Sequence, residues 1–182
     1  MQAAHLFANA ERYDKHAGRL GAKLYARVVA DAAASGLPDG ARVLDAGTGP
    51  GRIPRALAAE RPAWTIDGVD LEPRMIEHAR QQDPDGRVTF TVGDVAALPY
   101  PDATFDLIVS SISQHHWADV EGGIRDLRRV LRPGGLLWIY DARWALRRAL
   151  RAAEKSFDAV RKENVTLGRW PIPLLARLSA RA

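Results

Sequence analysis

Residues 43–51 read Val-Leu-Asp-Ala-Gly-Thr-Gly-Pro-Gly, a short apolar run closed by an acid and followed by glycines at every second position. Few folds accept such a stretch. Val43 and Leu44 favour a buried strand, whereas Gly47, Gly49 and Gly51 supply backbone that can turn sharply or approach a ligand with no Cβ in the way. Residues 52–60 then read as a helix whose Pro54 falls in the first turn, where proline is tolerated. Strand, glycine turn and helix in that order form the first half of a β-α-β unit, which commits the chain to a parallel sheet. The junction also offers bare backbone to a small molecule, with the Asp45 carboxylate beside it.

The same alternation continues downstream. Trp64–Val69 reads as the second strand, Pro73–Gln82 as a helix and Arg87–Val92 as an alternating strand. Phe105–Ser110 is a nearly unbroken apolar run, the pattern of a central parallel strand covered on both faces. Val120–Leu131 is helical, Arg132-Pro133-Gly134-Gly135 reads as a turn, and Leu136–Tyr140 as a fifth strand. Right-handed crossovers between these strands predict an α/β, doubly wound, mostly parallel sheet with helices on both faces. In such sheets ligands lie beyond the carboxyl ends of the strands, where Asp45, Asp70, Asp94, Ser110 and Ser111 fall.

On this reading the 182 residues form one domain: an N-terminal helical cap (1–40), a core (41–141) and a shortened C-terminal end (142–182). The cap holds a stripe at Leu20, Leu24, Val28 and Ala32, stopped by Ser35-Gly36-Leu37-Pro38, after a shorter helix around Ala8–His16. The end carries a helical stripe at Leu146, Ala149, Leu150, Ala153 and Phe157; Val165–Leu167 and Leu174–Leu178 read either as short strands or as coil.

The chain has no cysteine, which excludes disulfides, thiolate metal sites and cysteine nucleophiles; no metal is expected. No apolar run is long enough to span a bilayer and the start lacks a signal-peptide pattern, so a cytoplasmic protein is expected. The net charge of +4 is uneven: residues 1–141 sum to −3 and residues 142–182 to +7. A basic end fits a nucleic-acid partner, but a solvated helix face is the preferred reading.

Two ligand classes use a glycine turn after a first strand. Dinucleotide binders need G-x-G-x-x-G, and the position three after Gly49 is Arg52, so that spacing fails. The pattern present, D-x-G-x-G-x-G, resembles the first motif of class I S-adenosylmethionine-dependent methyltransferases. The resemblance extends through Gly68-Val69-Asp70-Leu71 with Met75, Gly93-Asp94-Val95 with Leu98-Pro99, Phe105–Ser111, His115-His116 and Arg129–Gly135. The chain is most similar to the type 11 methyltransferase domain of the ubiquinone/menaquinone-biosynthesis enzymes. That resemblance implies a Rossmann-like fold, S-adenosylmethionine as cofactor, S-adenosylhomocysteine as product and a small-molecule acceptor.

It also implies site residues. Asp45, Ala46, Gly47, Thr48 and Gly49 would form the cofactor loop, with Asp45 and Ser111 near the methionine moiety. Asp70 would accept hydrogen bonds from the ribose hydroxyls, which an ionised carboxylate does well. Leu71 and Met75 would pack on the adenine, and Gly93, Asp94 and Val95 would meet its edge. Tyr13 resembles a family tyrosine that closes over the cofactor. Asp70 equally fits a helix cap, Asp94 a turn acid and Tyr13 plain packing. His115 is the candidate base, with loop shaping as the alternative for the His115-His116 pair. Gln114 stands where related sequences usually carry leucine. The Asn/Asp-Pro-Pro-Tyr loop of many nucleic-acid amino methyltransferases is absent after strand four. Family members add two antiparallel strands after strand five; the 41 residues after Asp141 supply at most two very short ones. The lid is then minimal or borrowed from a second copy in a homodimer, with Trp144, Trp170 and Pro171-Ile172-Pro173 as its material.

Overall fold

The computed structural model describes residues 18–167 and 174–182. Tyr13, the Ala8–His16 helix, Trp170 and Pro171–Pro173 lie outside the described residues. Helix α1 (Gly18–Ala33) leads into β1 (Arg42–Ala46), α2 (Arg52–Glu60), β2 (Thr65–Asp70), α3 (Pro73–Gln81) and β3 (Val88–Val92). Strand β4 (Phe105–Ser111) follows, then a single 3-10 turn (Gln114–His116), α4 (Val120–Val130), β5 (Leu131–Ala142), α5 (Leu146–Ser156), β6 (Ala159–Val165) and β7 (Leu175–Arg181).

The strands form one seven-stranded sheet in the order β3-β2-β1-β4-β5-β7-β6. Pairs from β3 through β5 are parallel, and β7 runs antiparallel to both β5 and β6. Each face is covered. Leu44, Ile108, Leu137, Ile139 and Leu178 pack under α4 and α5, which contribute Ile124, Leu127, Leu146 and Ala149. Val43, Ile66, Leu107, Val109 and Tyr140 pack under α1, α2 and α3, through Leu24, Val28, Leu57 and Ile76. The apolar run in β4 is therefore split by the pleat, Ile108 to one core and Leu107 with Val109 to the other.

Two features differ from the sequence reading. The Arg132–Gly135 segment is not a free turn but the irregular first part of a longer β5. Phe105 pairs Leu131 and Leu107 pairs Leu136, with a register shift between them. Gly134 donates its N–H to the Ala182 carbonyl at 2.6 Å, and Ala182 returns a bond to Gly135 at 2.9 Å, which draws the segment into the ladder. The C-terminal end also carries more structure than expected: β6 and β7 are seven residues each and complete the sheet. β6, Ala-Val-Arg-Lys-Glu-Asn-Val, has four consecutive exposed polar residues because it is an edge strand, where charge guards against further pairing.

Helix α1 is tied to the far half of the sheet by a polar cluster. The Tyr140 hydroxyl donates to Asp31 at 2.8 Å, and Arg177 reaches Asp31 at 3.2 Å and Glu163 at 2.7 Å. Burial holds the Tyr140 hydroxyl well above the usual tyrosine range, so it stays a donor.

Ala103, exposed in the turn before β4, holds a left-handed φ of 51°. A Cβ there costs roughly 1–2 kcal/mol, partly offset by the flexibility glycine brings to the unfolded chain. Ala103→Gly is expected to raise stability by up to about 1 kcal/mol, read as a higher urea midpoint at unchanged slope.

Candidate active site

A cavity of about 340 Å³ opens at the carboxyl ends of β1, β2 and β4. Between β1 and β4 the winding of the sheet reverses, so their crossovers leave in opposite directions and part to form a crevice. The glycine loop forms its floor. Gly47 and Thr48 both donate N–H groups to the Val69 carbonyl, at 2.8 and 2.9 Å, which bends the loop over the end of β2. Gly51 has φ 74°, and a Cβ on it would stand 2.6 Å from the Phe90 ring and 2.9 Å from Ala79. This glycine is required for α2 to start so close to the sheet. A Cβ on Gly47 would meet the Ser113 hydroxyl, so the loop after β4 rests directly on this backbone.

The acids sit at the strand tips. Asp45 is 1% exposed; its Oδ2 accepts from the Thr48 hydroxyl at 2.8 Å, while Oδ1 has no protein partner. Burial pushes its carboxyl up to about 7; the Thr48 bond opposes this and the nearby Asp70 adds to it. Asp70 accepts from the Gly49 N–H at 2.7 Å and the Glu72 N–H at 3.0 Å. Burial still raises its pKa, against those two bonds. It is not the cap of α3, because the Glu72 side chain accepts from the Arg74 N–H there. Each Asp70 oxygen keeps a lone pair for a further donor. Asp94 is exposed and accepts from the Ala96 N–H at 2.9 Å, a local turn contact that leaves its other oxygen on the cavity.

Ten of the residues singled out in the sequence line this one cavity: Asp45, Gly47, Thr48, Gly49, Asp70, Leu71, Met75, Asp94, Val95 and Ser111. Ser111, like Asp45, carries a buried oxygen with no protein partner. Leu71 is 68% exposed, an apolar side chain held at the open edge. Three lie elsewhere. Ala46 is fully buried in the core beneath α4 and α5, on the opposite side of the strand from Asp45. Gly93 is packed so closely that a Cβ would be 3.0 Å from Pro99 and Val69. His115 does not line the cavity; its neighbour His116 does. The exchange follows from Asp141, 1% exposed at the end of β5, which holds the His115 Nδ1 at 2.9 and 3.0 Å and its backbone N–H at 3.2 Å. The two rings then lie against each other with centroids 3.9 Å apart and planes tilted by 46°. A carboxylate only accepts, so His115 Nδ1 carries the proton. Burial, followed by the neighbouring His115, lowers the pKa of His116, which keeps its ring neutral.

Sequence reasoning missed Tyr25 from α1, Arg52 and Ile53 from α2, and Ile112, Ser113 and Trp117 from the loop after β4. Arg52, Ile53 and Ser113 flank recognised motifs and adjacency could have found them. Tyr25 carried no signal, because its place depends on how α1 crosses the sheet. Ile112 takes a left-handed φ of 50°, costly for a β-branched residue. Its N–H bonds to the Tyr140 carbonyl at 2.8 Å, and the turn sets Ser113 on Gly47, with the Trp117 indole donating to the Ser113 hydroxyl at 3.1 Å.

Since folding raises the Asp45 pKa, its ionisation opposes the ligand-free fold. Its contribution to stability is full below about pH 4 and is lost as pH rises from there through about 7. Asp45→Asn is therefore expected to match the parent protein near pH 3, below the unfolded carboxyl's range, and to exceed it by up to a few kcal/mol at pH 8, measured by urea unfolding.

A family model described as a methyltransferase domain matches residues 44–139. A demethylmenaquinone methyltransferase of Deinococcus radiodurans is 39% identical over 98 residues, covering 53% of this chain and 41% of the relative. A 27-O-demethylrifamycin SV methyltransferase of Amycolatopsis mediterranei is 38% identical over 106 residues, 56% of this chain and 39% of the relative. The chain thus spans about two fifths of the length of these two curated relatives. Among solved structures, a TehB-like SAM-dependent methyltransferase of Corynebacterium glutamicum superposes with TM-score 0.72 at 26% identity, over 95% of this chain and 97% of the other. A methyltransferase of Haloferax volcanii, solved with the activator Trm112, shares the fold with TM-score 0.82 at 20% identity, over 97% and 95% of the chains.

Proposed function

We propose that this chain, which belongs to the methyltransferase-domain family, transfers a methyl group from S-adenosylmethionine to a small-molecule acceptor. The observation that carries the reading is the buried Asp45 carboxylate, which has an unpartnered Oδ1 and belongs to the lining of a cavity floored by glycine backbone. A buried, unpaired acid calls for a cationic ligand group, and the cofactor brings an ammonium and a sulfonium. Asp70 can accept from a ribose diol without giving up its backbone bonds, and Leu71 with Met75 offers an apolar shelf for adenine. Asp94 and Val95 stand at the edge of that shelf, where an exocyclic amine would meet a carboxylate. No phosphate-binding arrangement is required, in keeping with Arg52 at the position where a dinucleotide loop carries its third glycine.

When bound, S-adenosylmethionine supplies a methyl group already made electrophilic by its sulfonium. The protein's work is then to align a nucleophile, exclude water and accept a proton where the acceptor carries one. His116 is the side chain suited to that last task, since it lines the cavity and is held neutral. His115, fixed by Asp141, backs its ring and sets its position. The base role expected for His115 thus passes to His116, with His115 as a positioning residue. The names of the relatives favour a hydroxylated ring system as acceptor: they include demethylmenaquinone and 2-methyl-6-phytyl-1,4-hydroquinone methyltransferases.

Titration calorimetry with S-adenosylhomocysteine tests the cofactor assignment. Binding is expected, and Asp70→Ala should weaken it by roughly tenfold or more, the scale of hydrogen bonds to a charged group. A folded protein that gives no heat of binding would refute the assignment. The base is tested with a hydroquinone acceptor: His116→Gln should lower turnover by roughly a hundredfold or more and remove an acidic limb lying below the usual histidine range. His115→Gln should move that limb rather than abolish it.

A further inference from the structure

At the rim of the site, on the side of β5, two large apolar side chains stand in solvent: Trp144 is 72% exposed and Leu174 62%. They belong to one surface. The Arg143 N–H bonds to the Leu174 carbonyl at 3.0 Å, which joins the turn after β5 to the start of β7. The Trp144 ring lies 6.4 Å from the His115 ring, which in turn lies 3.9 Å from the His116 ring of the cavity lining, so this surface reaches the cavity through the histidine pair.

Cations adjoin the pair along the chain. Arg143 in the turn and Arg147 and Arg148 in the first turn of α5 are exposed, and Lys162 of β6 reaches the Arg143 carbonyl at 3.3 Å. Residues 142–153 hold four arginines and no acid. The nearby Glu163 is taken up by Arg177 at 2.7 Å. The apolar face of α5 is already committed to the core through Leu146, Ala149, Ala152 and Ala153, so its arginines form a separate outer face. An exposed indole and aliphatic side chain, with exposed guanidinium groups in the same turn and the first turn of the helix that follows, match the interface of an anionic bilayer. There an indole sits at headgroup depth, and each cation adds about 1 kcal/mol. A nucleic acid would satisfy the arginines and could stack on Trp144, but would leave Leu174 in water.

We propose that this rim docks on the anionic face of a lipid bilayer, with Arg143, Arg147 and Arg148 on headgroup phosphates and Trp144 with Leu174 in the interfacial layer. The mouth of the cavity then faces the lipid, the approach that an acceptor dissolved in the membrane would need. The docking itself depends on no step of the proposed methyl transfer.

Flotation of the full chain with vesicles, without methyl donor, tests this. The protein should float with phosphatidylcholine vesicles containing phosphatidylglycerol and stay behind with phosphatidylcholine alone, and added salt should release it. Replacing both Arg147 and Arg148 by alanine should weaken partitioning roughly thirtyfold, two cations at the interfacial scale. Trp144→Ala and Leu174→Asp should each weaken it severalfold, with circular dichroism unchanged because all four side chains are exposed. Equal binding to neutral and anionic vesicles, or indifference to these substitutions, would overturn the proposal. So would tight, salt-sensitive binding of tRNA by a chain that ignores vesicles, which would assign the arginines to nucleic acid.

Discussion

The site depends on one topological fact: the sheet changes winding direction between β1 and β4. On one side the chain leaves β1 for α2 and β2; on the other it leaves β4 for α4 and β5. Crossovers that depart to opposite faces cannot fill the space above the two central strands, and the cavity is what remains. Asp45 stands next to last in β1 and Ser111 closes β4, on the same face of the sheet. Their buried oxygens, Asp45 Oδ1 and Ser111 Oγ, are left without protein partners. Unsatisfied buried oxygens are costly in an ordinary core. Two of them, on residues that line one cavity, fit a fold that accepts this cost for a ligand.

Two features keep the acid in place. Thr48 anchors one Asp45 oxygen from the glycine loop, and the loop is held by the Val69 carbonyl and by the Asp70 carboxylate on the Gly49 N–H. The two carboxylates therefore share one loop, and Asp70 adds to the cost that burial sets on ionising Asp45. A cation entering between them would relieve burial and mutual repulsion at once. Gly51 fixes the loop from below, because only a residue without a side chain lets α2 begin against Phe90 and Ala79.

The glycine-loop side of the cavity was legible in the sequence because its parts are local. Asp45 to Gly49 is a single turn, Asp70 and Met75 are a strand end and the next helix, and the element order from residue 42 to Ser111 follows from strand and helix periods alone. The strand β6 was not legible. Arg161, Lys162, Glu163 and Asn164 show no alternation because one edge of β6 meets water; β7 supplied the pairing that made it a strand. The lengthened β5 escaped for a similar reason. Arg132-Pro133-Gly134-Gly135 has turn chemistry, and only its bonds to Ala182 draw it into the sheet.

The other wall of the cavity is built from contacts far apart in sequence, and there the end of β5 acts as the organiser. The Tyr140 carbonyl takes the N–H of Ile112 and so sets the strained turn that places Ser113 on Gly47. Its hydroxyl holds Asp31 and with it the helix that carries Tyr25 to the cavity. The next residue, Asp141, fixes His115 and thereby turns His116 inward. Trp144 follows within the same turn. Four features of this wall thus depend on the stretch from Tyr140 to Trp144, whose own periodicity shows only a buried strand end. A residue motif can mark the loop that grips a ligand. The wall opposite it is set by where β5 ends, and that is fixed by strands β4 and β7 on either side of it.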